Sequence, residues 1–433
     1  MVLAHNFVPI LDCQAKRKNQ CLSIRTPRKA WPPPKEISVS SQPEIKRILS
    51  SYKYPKTKPF KAEAPLVPSI FTTSEEDLNR MRRRQVGPAF SITGLESVQD
   101  TIVKVGISSL KAKIDQNLNQ SISKSYLFNY CTMFQNLTTD IIGELCYGSS
   151  FGAIQSGDSK LIDWSNSAIM VFGIRRKEIE NGQFDKSRLD ILQMYLDSIN
   201  TTNNRKLSDN ELISELVTMI VAGTDTTSLT MTNLVHLLTL YPKVYNKVVD
   251  EVIQAFPDRS KLITYAEAKQ KLPYLVAVVY ESMRIMPISS GLFFRESSPA
   301  GTEVCHHRIP ANVIMGLFFQ GGNFDQSVWE NPTSFNPDRF MGNNGDKMKR
   351  EILSFSHGVR ICPGRNLAWM EILTVIPNLI RDYELQLPEN SLFNPNNLDP
   401  TRNNEPKFYD TQIYLTRYPV NPDRDCNIII RAR

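Results

Sequence analysis

No stretch of this 433-residue chain approaches the roughly 18–20 consecutive apolar residues of a membrane-crossing helix. No C-x-x-C occurs either. The seven cysteines (Cys13, Cys21, Cys131, Cys146, Cys305, Cys362 and Cys426) are odd in number and widely spaced. That pattern excludes a disulfide scaffold or a zinc ribbon and fits a reducing, intracellular setting. Histidine is scarce, with five in all. The adjacent pair His306–His307 lacks ligand spacing and reads as a strand or turn feature, and His236 reads as a packed residue. Acids are nearly missing from "QAKRKNQCLSIRTPRKAW", and the apolar run in "MVLAHNFVPILDC" is too short and broken for a secretory signal. Residues 1–30 therefore read as a basic, disordered leader. The formal net charge is +7. No nucleic-acid motif accompanies it, so the charge reads as a property of the surface.

What is present is ordinary globular composition, 41% hydrophobic and 22% charged, without internal repeats. "EISVSS" alternates as a strand does. The dominant signal begins at "LSDNELISELV", where Ser208 and Glu211 form a capping-box pattern. Helical periodicity then runs to Tyr241, with Pro242 beyond it, so this element crosses the whole molecule. A second helix follows Pro273 and stops at Pro287, and a third, "NLAWMEILTVIPNLIRDY", follows Cys362. Short strands fill Gly291–Gly322 and "TQIYLTRY". The fold class that follows is mainly α, with a small antiparallel β subdomain contributed from both ends of the chain.

The segment with the densest chemistry is "FSHGVRICPG". Gly358 and Gly364 flank Cys362 and allow tight turns. A helix begins just after the cysteine, and its unpaired N–H groups together with Arg360 and Arg365 favour a thiolate. A structural cysteine in a glycine turn has no need of Phe355, Gly358, Arg360 and Gly364 together.

Phe355, Gly358, Arg360, Cys362 and Gly364 match F-x-x-G-x-R-x-C-x-G, which resembles the haem-binding loop of the cytochrome P-450 superfamily, the haem-thiolate monooxygenases. The resemblance implies that Cys362 is the axial ligand of haem iron, the one metal site expected. It implies that Arg360, and less directly His357, faces a haem propionate. Three further motifs agree in order. "AGTDTT" places small residues, Ala222 and Gly223, where a flat macrocycle approaches the long helix. It also sets Asp225 beside Thr226 to relay protons. "ESMR" with "NPDRF" resembles the family's structural clamp, here Glu281, Arg284 and Arg339. "MRRRQVGPAFS" resembles the helix that contacts the propionates, with Arg83 in register and Asn79 where an aromatic usually stands. Arg295 in "SGLFFRESSPAG" is another propionate candidate. "FSITGL", "GELCYGSSFG" and "FFRESSPAGTEVCHHRIPANV" are similar to fungal microsomal members.

The resemblance spans Trp31 to the C-terminus and implies one haem-thiolate domain over 31–433. It implies haem b as cofactor and a monooxygenase acting on an apolar organic substrate. O2 and electrons from NADPH through a partner reductase would drive it, with cytochrome b5 as a second donor. It also places the chain at the cytoplasmic face of the endoplasmic reticulum, touching the membrane surface. Lys347, Lys349 and Arg350 would lie on the basic face that docks an acidic donor. Val217–Asp225, Ile288–Leu292 and Tyr414–Tyr418 would line a pocket of mainly apolar or small residues. The family's hydrophobic anchor and proline-rich hinge have no counterpart in residues 1–30. Between "SFGAIQSG" and "FDKSRLDILQMYLDS" there is room for about one of the two lid helices. The short lid motivates an alternative reading as a haem-binding remnant. A haem-thiolate isomerase or dehydratase is a third, opposed by the intact Asp225–Thr226 pair.

Overall fold

The structure, a computed structural model, describes residues 22–24, 36–57, 66–157, 191–200, 205–289, 291–413 and 415–433. Most of the expected leader and the lid segment 159–182 lie outside the described residues. The principal elements, in chain order, are β1 (Leu22–Ile24), β2 (Glu36–Val39), α1 (Gln42–Leu49), α2 (Glu76–Val86), β3 (Ser125–Asn129), α3 (Tyr130–Tyr147), α4 (Asp209–Leu240), α5 (Pro273–Ile285), β4 (Leu292–Glu296), β5 (Ile314–Phe318), α6 (Arg365–Asp382), β6 (Tyr383–Gln386), β7 (Thr411–Ile413), β8 (Arg417–Pro419) and β9 (Asn427–Ala432).

The long helix forms as its sequence dictates. Glu211 accepts the Ser208 N–H at 2.8 Å, completing the capping box at the start of α4. The helix ends at Leu240 because Tyr241 precedes a proline and leaves the helical region, at φ −121° and ψ 77°. Its 32 residues span about 48 Å. The second half, from Leu229 through Leu240, is almost wholly buried, with Thr230, Thr232, Asn233, His236 and Thr239 set among its apolar residues. α3 packs on α4 closely enough that a Cβ at Gly223 would stand 2.5 Å from Ile142 Cδ1. Thr138 Oγ1 ties the two helices by donating to Thr224 O at 2.9 Å. α6, mainly apolar from Leu367 to Ile380, completes this core. No helix among the described residues is long and apolar enough to cross a membrane.

One expectation needs correction. Leu22–Ile24, within the expected disordered leader, form β1 and pair antiparallel with β2, since Leu22 and Ile24 alternate around Ser23. The expected small antiparallel β subdomain is present as small sheets, with one parallel pairing among them. β1, β2, β5 and β4 make one sheet, and β6, β9 and β3 make another. β2 pairs parallel with β5, which the long intervening connection permits. Cys305 is disulfide-bonded. His236 is buried as expected, with its Nε2 accepting the Tyr409 N–H at 3.3 Å.

One polar cluster fastens α5 to the loops before the cysteine segment. Glu281 and Arg284, both fully buried, form two parallel bonds of 2.7 Å. The remaining guanidinium donors reach Asn323 O, Pro332 O and Ser334 O at 2.8–3.1 Å. Arg339 Nε reaches Glu281 Oε1 at 3.2 Å, and the Asn336 N–H reaches the same oxygen at 2.8 Å. The pair is fully hydrogen-bonded, which makes breaking it far more costly than its net worth. Glu281→Gln is expected to cost roughly 3–5 kcal/mol, read as a lowered urea midpoint; an unchanged midpoint refutes the clamp.

Candidate functional site

A cavity opens between α4, the loop that carries Cys362 into α6, and the segment 66–73. Its floor includes Phe355, Arg360, Cys362 and Gly364, and α4 contributes Met219, Ala222, Gly223 and Thr226. Cys362 is enclosed by protein yet accessible, because its thiol opens onto this interior space. Its N–H donates to Phe355 O at 2.8 Å, closing the loop. Gly358 carries a φ of +66°, and a Cβ there would meet Leu49 O at 2.4 Å. The loop therefore rests on the end of α1 only because that residue is glycine. Gly364 needs no special backbone, with φ −74°.

The sequence predicts a lowered thiol pKa, and the structure reverses this. Burial pushes the Cys362 thiol up; the Gly364 and Arg365 amides and the Arg83 and Arg365 cations oppose it without prevailing. A thiolate here needs a stronger positive partner than the protein supplies.

Around the floor stand three guanidinium groups, those of Arg295 and Arg360 buried and that of Arg83 half-buried. Arg83 donates to Ile361 O, and burial lowers its pKa. Arg360 Nε pairs with Glu76 Oε2 at 2.9 Å, while its Nη1 and Nη2 are buried without a partner. Arg295 donates to Phe294 O at 2.9 Å, and burial, with repulsion from Arg360, brings it down to about 10. Glu76 is the one carboxylate neutralising this group among the described residues. Two positive charges are left over, and a buried excess of that kind calls for an anion. An enclosed thiol, two idle guanidinium nitrogens and an excess of two charges fit a flat ligand bearing two carboxylates and a thiolate-binding metal. Arg83 and Arg360 lie in the cavity wall; Arg295 stands behind it beside Phe293. His357 is not in the wall. It is half-buried, its pKa lowered by burial and by Lys46, with Glu351 opposing.

The two residues expected to move protons part company. Thr226 is in the wall, its Oγ1 donating to Ala222 O at 2.6 Å. Asp225, one residue back and therefore turned about 100° around the helix, is not in the wall. Burial raises its carboxyl pKa, the Gln135 amide on α3 opposes, and Oδ1 is buried without a partner. Tyr418 Oη in turn donates to Gln135 Oε1 at 2.9 Å. Gly223 does line the cavity, but its missing side chain also makes room for Ile142 of α3. Of the expected pocket segments, Thr218, Met219, Ala222, Gly223, Ile288 and Ser289 line the cavity; Ser290 and Tyr414 lie outside the described residues. The stretch 414–418, expected to be apolar or small, contains the charged Arg417.

Sequence reasoning missed what holds the cavity roof. Ile70 has its N–H bonded to Glu215 Oε1 at 2.8 Å and its carbonyl to Asn79 Nδ2 at 2.8 Å. The Val67 N–H donates to Ser214 Oγ at 3.1 Å, and Lys56 Nζ donates to Phe71 O at 2.6 Å. Asn79, noted in the sequence only as a missing aromatic, is thus a roof anchor. Arg82 bonds Glu211 and lies 3.6 Å from Glu215. The available signal was Glu211 and Glu215 at i, i+4, facing a basic helix.

A family model described as Cytochrome P450 (P-450 below) matches residues 166–408. Two curated relatives from Aspergillus fumigatus, the cytochrome P-450 monooxygenases helB1 and helB2, are 30% and 31% identical over 92% of this chain, covering 74% and 85% of their own lengths. The crystal structure of a cytochrome P-450, CYP102L1, superposes with a TM-score of 0.73 at 19% identity, over 92% of this chain and 89% of that one. The fold and the site thus define a haem-dependent oxidoreductase. The chain belongs to the cytochrome P-450 family and is a P-450 monooxygenase.

Glu215 gives a pH test of the roof. Burial raises its carboxyl to about 7, against the opposing Ile70 N–H and Arg82 charge; Glu211 adds to the rise, and Tyr195 is the other titratable group facing it. A raised acid stabilises the fold below its unfolded value near 4.5 and loses that contribution as pH climbs through about 7. Wild type is therefore expected to lose on the order of 3 kcal/mol more than Glu215→Gln between pH 4.5 and 8. Parallel urea midpoints for the two across that range refute the assignment.

Proposed function

We propose that this chain inserts one atom of O2 into an apolar organic substrate, with Cys362 as the axial ligand of haem b. The observation that carries this reading is the accessible, enclosed thiol beside a buried excess of guanidinium charge. Haem, when bound, supplies the oxygen activation and the oxygen-atom transfer. Arg360, through Nη1 and Nη2, together with Arg83 and Arg295, binds the two propionates. Phe355 O holds the Cys362 N–H and fixes the loop. Thr226 holds a hydroxyl at the cavity wall, and Asp225, with its raised carboxyl, keeps a proton one helix face away until it turns inward. The anchored roof at Ile70 keeps water from the floor. Electrons come from NADPH through a partner reductase, with cytochrome b5 as a second donor, docking at the basic face of the helix Gly342–Glu351. The catalytic unit is residues 31–433, working at the cytoplasmic face of the endoplasmic reticulum.

Wild type and Cys362→Ala, each reduced and exposed to carbon monoxide, test this directly. The haem-thiolate absorption band is expected in wild type and absent from the variant; identical spectra overturn the reading. Product formation that needs neither NADPH nor reductase would replace the monooxygenase with an isomerase or dehydratase.

A further inference from the structure

We propose that Arg417 binds a carboxylate of the substrate, at a subsite adjoining the cavity behind Ile288. Arg417 opens β8, paired with Ile413 across the β7–β8 hairpin. Its N–H donates to Ile288 O at 2.8 Å, and Ile288 lines the cavity. The hairpin is seated on the other side by Tyr409, whose hydroxyl donates to Asn233 Oδ1; Asn233 also lines the cavity.

Arg417 shares one property with Cys362. It is enclosed by protein over most of its surface, yet part of it stays accessible. Its Nε is fixed by Thr411 Oγ1 at 2.7 Å, leaving Nη1 and Nη2 to act as a planar fork. Among the described residues no carboxylate pairs with it. Burial lowers its pKa, and the only opposing group is the Tyr409 phenol. Other enclosed arginines are answered within the protein. Arg82 has Glu211 and Glu215, Arg284 has Glu281, and Arg381 has Asp382. The group at the cavity floor is matched by the two haem carboxylates. Arg417 has no such anion among the described residues.

An unpaired buried cation is costly to maintain, and a bound anion removes the cost. The geometry selects the kind of anion. One fork with Nε already engaged fits the two oxygens of a carboxylate. A dianionic phosphate calls for further cations, and none bears on Arg417. The substrate is therefore amphipathic, with an apolar body over the cavity floor and an acid group at the hairpin.

The proposal rests on the cavity being the substrate pocket of a P-450, and the test separates the two. Haem-loaded full-length protein is titrated with dodecanoic acid, abietic acid and their methyl esters. Binding is read from the substrate-induced shift of the haem absorption band and, independently, by calorimetry. Each acid is expected to bind wild type about tenfold or more tightly than its ester. Arg417→Met is expected to abolish that ratio while leaving ester affinity within about threefold; Arg417→Lys keeps part of it. Equal affinity for acid and ester in wild type overturns the proposal without any variant being needed. A ratio that survives in Arg417→Met does so as well. A normal carbon monoxide spectrum with no acid preference removes the Arg417 subsite and leaves the enzyme class standing. Calorimetric acid preference without that spectrum has the opposite meaning.

Discussion

The structure depends on an imbalance of charge. Arg83, Arg295 and Arg360 are gathered at the cavity floor around one carboxylate, Glu76, and no packing arrangement of the surrounding apolar residues can offset the remainder. The elements that create the imbalance come from remote parts of the chain: α2 for Arg83, β4 for Arg295, and the Cys362 loop for Arg360. The fold therefore brings like charges together at a cost in its own stability. On the proposed function, a cofactor bearing two carboxylates would supply what the polypeptide lacks, which would couple its binding to folding.

The clamp at Glu281 shows what the same residue types do when their demands are met internally. Arg284 has every donor directed at a carboxylate or carbonyl oxygen, and Arg339 completes the cluster. The result is a fixed joint with no chemical capacity. The cavity floor holds similar groups with donors left idle. What separates structural from functional arginine in this molecule is whether the protein itself satisfies the guanidinium.

The sequence made some features plain because their causes are local. The limits of α4 follow from the capping box at Ser208 and the proline after Tyr241, and both act within one turn. The cysteine loop was legible because Gly358 is required by its own φ. Properties set by distant partners were not legible. Asp225 and Thr226 are neighbours in sequence, and only the packing of α3 against α4 decides that one faces Gln135 and the other the cavity. Asn79 reads as a missing aromatic until Ile70 is brought beside it. The Cys362 pKa was judged from nearby cations, while burial, a property of the whole fold, outweighs them. The short β1 strand is likewise invisible without β2, since three residues carry too little pattern on their own.

The seating of Gly358 on Leu49 has a consequence for the order of assembly. The two residues are far apart in the chain, and their backbones touch more closely than any side chain would allow. The loop bearing the thiol thus takes its final shape only after the amino-terminal sheet and its helix have docked against it, a late and non-local event.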